Sequence, residues 1–375
     1  MTSIKSLVFK LKWLSVAILI FLIGLLFQSF PGLTDTIYRN GIFQLFRIIY
    51  DYTLGWIPLP MVYFLFLLVV YIIYQFLGKA WSMLKSKYFG KLSILTMNGL
   101  SIIYILFYVL WGFNYYTPTV KQKLAFTSHK MDREDLYEEA RYVARSVSSL
   151  RMKAIGDSSI NINETTIPED LENQLRNEQK IILKSWGYLT NGRVRIRRLE
   201  PDGVLLRIST AGVYIPWVLE GHIDDGLHPI QWPFTMAHEM AHGYGITDEG
   251  ECNFVGFVTC ISSDNLIIRY SAELAYFRYL INNLRLVDND RYKEVVRSLT
   301  QGVKNDINAI ILQMRKYPDI LPDFRDLVYD SYLKSHGVHE GLASYSSIIR
   351  LINQWKKSGR DRELITRTFP WSVHE

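Results

Sequence analysis

Three long apolar runs without a single charged residue occupy the first third of this chain: Trp13 to Phe30, Leu54 to Leu77 and Leu92 to Tyr116. Each is long enough to cross ~30 Å of hydrocarbon as a helix. Buried helices of soluble domains rarely stay uncharged for so long. Trp13, Trp56, Trp81, Trp111, Tyr115 and Tyr116 stand at or near run ends, where amphipathic rings favour the headgroup layer. The first run follows Lys5, Lys10 and Lys12, as a secretory signal would. It is long and lacks a small-residue cleavage site, so it reads as a retained membrane helix.

Lys and Arg near the runs set the expected orientation. The N-terminal flank and the second loop (Lys79, Lys85, Lys87, Lys91) are basic, whereas the first loop has only Arg39 and Arg47. This bias puts the N-terminus in the cytoplasm and everything after Tyr116 on the outer face. The net charge of +6 is then partly an orientation signal. No basic-aromatic stripe argues for nucleic acid. The implied division is a three-helix transmembrane region, 1–116, and an extracytoplasmic domain, 117–375.

The second part reads as a mostly helical α+β domain. Met131 to Leu150, Pro168 to Trp186, Ser271 to Val287, Arg291 to Lys316 and Leu342 to Trp355 have helical apolar periodicity. Arg193 to Leu199, Val204 to Ser209 and Gly212 to Val218 read as strands. Pro216 suits an edge position in the last of them, open to pairing with an extended peptide. His222, Asp224 and His228 fall in the expected loop before the next helix, either supporting metal ligands or contacting substrate, or merely solvated.

That next helix carries His238-Glu239-Met-Ala-His242. Imidazoles four apart project from one helix face and can share a Zn²⁺, while Glu239 is placed to act as general base on water. A third ligand is required. Asp248 would serve in a metzincin-like spacing with Gly245 as the turn, but the next Met, Met314, lies in a charged helical context unsuited to the Met-turn that class needs. Glu251, from the start of a second helix spanning Asp248 to Ser262, would serve in a gluzincin-like arrangement and is the favoured ligand. Asp248 then becomes an N-cap and Glu249 a first-turn acid or a group supporting a ligand. Tyr332 and Tyr345 are candidate donors to a tetrahedral oxyanion, with His336 and His339 as alternatives. Cys252 and Cys260 are about 12 Å apart along one helix, too far for a disulfide.

The chain resembles the bacterial membrane-protein family catalogued as domain of unknown function 3810. The residues carrying the resemblance are Trp111-Gly-Phe-Asn-Tyr115, Gly212-Val-Tyr-Ile-Pro216, Glu220, Pro233-Phe234 and Ala237 to His242. Glu251-Cys-Asn-Phe254, Asp330-Ser-Tyr-Leu-Lys, Gly341 and Ser344-Tyr345 complete the set. Cys252 departs from the pattern, where many members have Ala. The resemblance implies a zinc-metallopeptidase-like domain, carries over Glu251 as third ligand and supplies no substrate.

The sequence therefore predicts a zinc metallopeptidase anchored in the bacterial cytoplasmic membrane and cleaving envelope peptides or proteins. The alternative is a catalytically inactive zinc- or peptide-binding protein in envelope assembly or signalling, which would have no need of Glu239. Intramembrane proteolysis is excluded by the polar helices around the motif.

Overall fold

A computed structural model describes residues 11–127, 131–156, 158–320 and 347–359. The chain divides into two compact units. The first comprises 1–118 with the short segments 191–193 and 215–220; the second comprises 119–190, 194–214 and 221–375.

The first unit holds three helices long and apolar enough to cross a membrane: α1 (Lys12–Ser29), α3 (Met61–Lys85) and α4 (Phe89–Leu110). Their surfaces remain largely exposed, as suits helices solvated by lipid. Between α1 and α3 the chain is helical nearly throughout. Pro31–Thr34 and a π-helical stretch, Asp35–Ile42, lead into α2 (Phe43–Tyr52).

The second unit is built mainly of helices: α5 (Arg133–Ile155), α6 (Leu171–Ser185), α7 (Trp232–Gly243), α8 (Glu249–Ile261), α9 (Leu266–Val287), α10 (Asn289–Ser298), α11 (Gln301–Met314) and α12 (Ser347–Lys357). α7 and α8 form its centre. Every residue of α8 from Glu249 to Cys260 is buried, as is every residue of α7 except Thr235. Their close approach depends on Gly256, where a Cβ would lie 3.1 Å from the backbone nitrogen of His238. Gln179 of α6 ties the pair together, donating to the Ala237 carbonyl at 2.8 Å and to the Thr259 hydroxyl at 3.2 Å. On the far side a buried cluster joins α5, α9 and α11. Arg151 pairs with Asp306 at 2.7 Å, and the Tyr270 hydroxyl donates to the same carboxylate at 2.6 Å.

A small sheet of three strands, β1 (Ile196–Leu199), β2 (Gly212–Ile215) and β3 (Glu220–Asp224), has the order β1-β3-β2. β1 and β3 run parallel, with Ile196 opposite Gly221 and Leu199 opposite Asp224. β2 lies at an edge, as Pro216 suggested, and Pro216 ends it by starting a 3₁₀ turn.

Three sequence expectations change. Val204 to Ser209 is not a strand but a turn around the 3₁₀ segment Leu206–Ile208, where the Asp224 carboxylate gathers the amides of Gly203, Leu205 and Leu206. His222 and Asp224 are not loop groups; both are fully buried in β3, a strand too polar in sequence to show. The helix expected over Arg291 to Lys316 is two helices, α10 and α11, with a break at Leu299 and Thr300.

Candidate metal centre

Local rules explain how α7 presents its histidines. Pro233 occupies the first turn, where a missing N–H costs nothing. The helix ends at Gly243, and Gly245 adopts φ +86°, a conformation that glycine tolerates best. The resulting turn brings the Ile246 carbonyl back to Nδ1 of His242 at 2.9 Å. Nδ1 of His238 meets Oδ1 of Asn253 at 2.9 Å. An acceptor at each Nδ1 holds the rings with both Nε2 atoms turned toward Glu249, where a cation would take the place of a proton. The Tyr279 hydroxyl also donates to Asn253 Oδ1, at 3.3 Å.

The third group is Glu249. Its Oε2 stands 3.2 Å from Nε2 of His238 and 3.7 Å from Nε2 of His242. The three candidate ligand atoms lie within 4.8 Å of one another, compatible with one ion about 2 Å from each. Burial opposes ionisation of Glu249, yet the neighbouring His242 and His238 hold its carboxyl well below the usual range. It is an anion already facing the two imidazoles.

The structure brings Glu249 to the histidines, and not Glu251, the ligand favoured from sequence. Asp248 does cap α8, accepting from the Glu251 amide at 2.8 Å. That register turns Glu251 away from the histidines. Its carboxylate instead accepts from the amides of Val120 at 2.8 Å and Lys121 at 2.9 Å, closing the first turn of the short helix Val120–Lys123. Positions 249 and 251 are about 200° apart around a helix, so only one can face α7. Burial pushes the Glu251 carboxyl up to about 7, with Asp248 adding to the rise. The sequence carried a usable signal: Glu249, Asn253 and Gly256 sit at i, i+4 and i+7, one stripe of α8, and all three meet the histidine helix.

Glu239 is buried beside the pair, and among the described residues its Oε2 has no hydrogen-bond partner. Burial pushes its carboxyl up to about 7, His238 and His242 pulling the other way. Gly212 of β2 passes directly over it: a Cβ there would lie 2.5 Å from Oε1 of Glu239. Cys252 stays outside the ligand set. Its Sγ lies 3.3 Å from Nδ1 of His242, the side turned away from Glu249, and burial pushes the thiol up to about 12. Both cysteines are unpaired, as expected. Tyr332, Tyr345, His336 and His339 lie outside the described residues.

A protein-family profile described as "Protein of unknown function (DUF3810)" matches residues 38–353, most of the chain. The chain belongs to this family. No curated protein and no solved structure matches it. The match to DUF3810 spans α2 to α12 and includes the candidate metal centre, but carries no activity with it.

Proposed function

We propose that this DUF3810 protein is a membrane-anchored zinc metallopeptidase with a zincin-like catalytic domain, acting on peptides or proteins of the bacterial envelope. The observation that carries the reading is the convergence of His238, His242 and Glu249, with the buried Glu239 alongside, its Oε2 without a hydrogen-bond partner among the described residues. Two imidazoles and a carboxylate suit Zn²⁺, and three protein ligands leave a position open for chemistry. A structural zinc site would instead close its fourth position with protein.

Zinc held there would polarise a carbonyl and ease deprotonation of water near neutral pH. The chain's own residues supply the rest. Glu239, buried beside the two imidazoles, accepts the proton of the attacking water and returns it to the leaving amine. Asn253 and the Ile246 carbonyl hold the two imidazoles in the required tautomer. The edge strand β2, its Gly212 against Glu239, offers a backbone along which an extended peptide can align. Tyr332 and Tyr345 remain the proposed oxyanion donors.

The test is proteolysis by the purified full-length chain against envelope extracts, wild type beside Glu239→Gln. The reading requires cleavage and stoichiometric zinc in the wild type, with zinc but no cleavage in the variant. A Glu239→Gln protein that performs the cellular role unchanged would favour the inactive-binder alternative.

A further inference from the structure

The segment between α1 and α3 is folded inside out for a chain in water. It carries four charged residues from Pro31 to Pro60: Asp35, Arg39, Arg47 and Asp51. None of them is exposed. Arg47 is 1% exposed and pairs with the fully buried Asp51 at 2.6 Å; Arg39 pairs with Asp35 and donates to the Thr117 hydroxyl at 3.0 Å. The outward face is apolar instead, along Leu33, Ile37, Ile42, Leu45, Ile49 and Tyr52, with Leu45 58% exposed. Even the outward hydroxyls are spent on the helix: Thr36 donates to the Gly32 carbonyl and Thr53 to the Ile49 carbonyl. A helix facing water shows the opposite pattern. Inward charges and satisfied backbone are what hydrocarbon demands.

The segment's anchor points place it along one boundary of the membrane helices. The Thr34 hydroxyl donates to the Phe27 carbonyl near the C-terminal end of α1. The Tyr38 hydroxyl donates to the Val109 carbonyl near the C-terminal end of α4, and Arg39 reaches Thr117 just beyond it. Nine residues after Tyr52 the chain enters α3 at its N-terminal end, Met61. The segment is therefore tied at its start to the C-terminal ends of α1 and α4 and leads at its finish into the N-terminal end of α3, the geometry of a helix lying along the interface. Its apolar face is exposed, as are the apolar surfaces of the spans, and Tyr52 and Trp56, both exposed, suit the headgroup level.

We propose that Pro31–Trp56 is a fourth membrane-embedded element, a non-spanning helix whose outward face lies against lipid acyl chains. The inference rests on the three-helix membrane anchor and is independent of any activity at the metal centre. It also separates this face from the expected aqueous first loop.

The experiment uses the unmodified full-length chain in phosphatidylcholine vesicles doped with a lipid bearing a diazirine at mid acyl chain. After irradiation and trypsin digestion, adducts are quantified on three peptides. Asn40–Arg47 carries Ile42 and Leu45; Leu92–Lys121 reports a span; Ile181–Lys184, with an exposed Ile181, reports the second unit. The expected result is an adduct yield on Asn40–Arg47 comparable to that on Leu92–Lys121 and on the order of tenfold above that on Ile181–Lys184. A yield on Asn40–Arg47 no higher than on Ile181–Lys184, with the span peptide labelled, would overturn the proposal. That outcome would show the face covered by water, a second copy or another protein.

Discussion

Replacing Glu249 by Gln should release the metal, whereas replacing Glu251 by Gln should not. The two residues are two positions apart, both buried and both acidic, so residue type and burial do not separate them. Geometry does. Glu249 Oε2 is 3.2 Å from one imidazole nitrogen and 3.7 Å from the other; Glu251 holds two backbone amides instead. Zinc sites with four protein ligands bind with about 10–16 kcal/mol, or roughly 2.5–4 kcal/mol per ligand. Removing the anionic one should weaken binding by about 10²- to 10³-fold, at ~1.4 kcal/mol per tenfold. Glu251→Gln keeps one acceptor oxygen and loses one of the two amide hydrogen bonds, costing about 0.5–1.5 kcal/mol of folding stability. The assay is chelator competition on the purified full-length chain in detergent, with metal content by mass spectrometry and thermal unfolding in parallel. Glu249→Gln should fold and lose its ion; Glu251→Gln should melt earlier and keep it. Wild-type affinity in Glu249→Gln, or an ion lost only from Glu251→Gln, would refute the ligand assignment.

Asn253→Ala should weaken metal binding by about 10- to 100-fold through lost orientation of the His238 ring, and Asn253→Asp should restore it, because Asp keeps the acceptor at Oδ1. Gly212→Ala should abolish cleavage while zinc content stays near one per chain, since its Cβ would displace the Glu239 carboxylate. In the metal-free protein Glu239 has its carboxyl raised to about 7 from 4.5, so the neutral form favours folding. That contribution, on the order of 3 kcal/mol, is fully present below pH ~4.5 and is lost as pH rises through about 7. Melting scans of metal-free wild type should show this decline, and Glu239→Gln should flatten it; an unchanged slope would count against a buried, titrating Glu239.

The parts of this fold legible in sequence are those set by a repeating or covalent constraint. Uncharged runs of membrane length gave α1, α3 and α4, because only a helix satisfies its backbone in hydrocarbon. Four-residue spacing gave His238 and His242 a common face, and the Asp248 cap followed from local hydrogen bonding alone. What escaped was decided by contacts between elements. β3 is Glu-Gly-His-Ile-Asp, a strand by its neighbours and not by propensity, since burial of His222 and Asp224 depends on partners distant in sequence. The choice between Glu249 and Glu251 was of the same kind. The cap settles where α8 begins, but its facing is settled by Gly256, whose missing side chain lets α7 approach on that stripe alone. Once a glycine marks the contact face, residues three and seven positions before it on the helix are candidates for the interface; here three residues before Gly256 stands Asn253, and seven before it stands Glu249. A Gly256→Leu substitution should therefore push α7 from α8 and cost zinc binding without replacing any ligand.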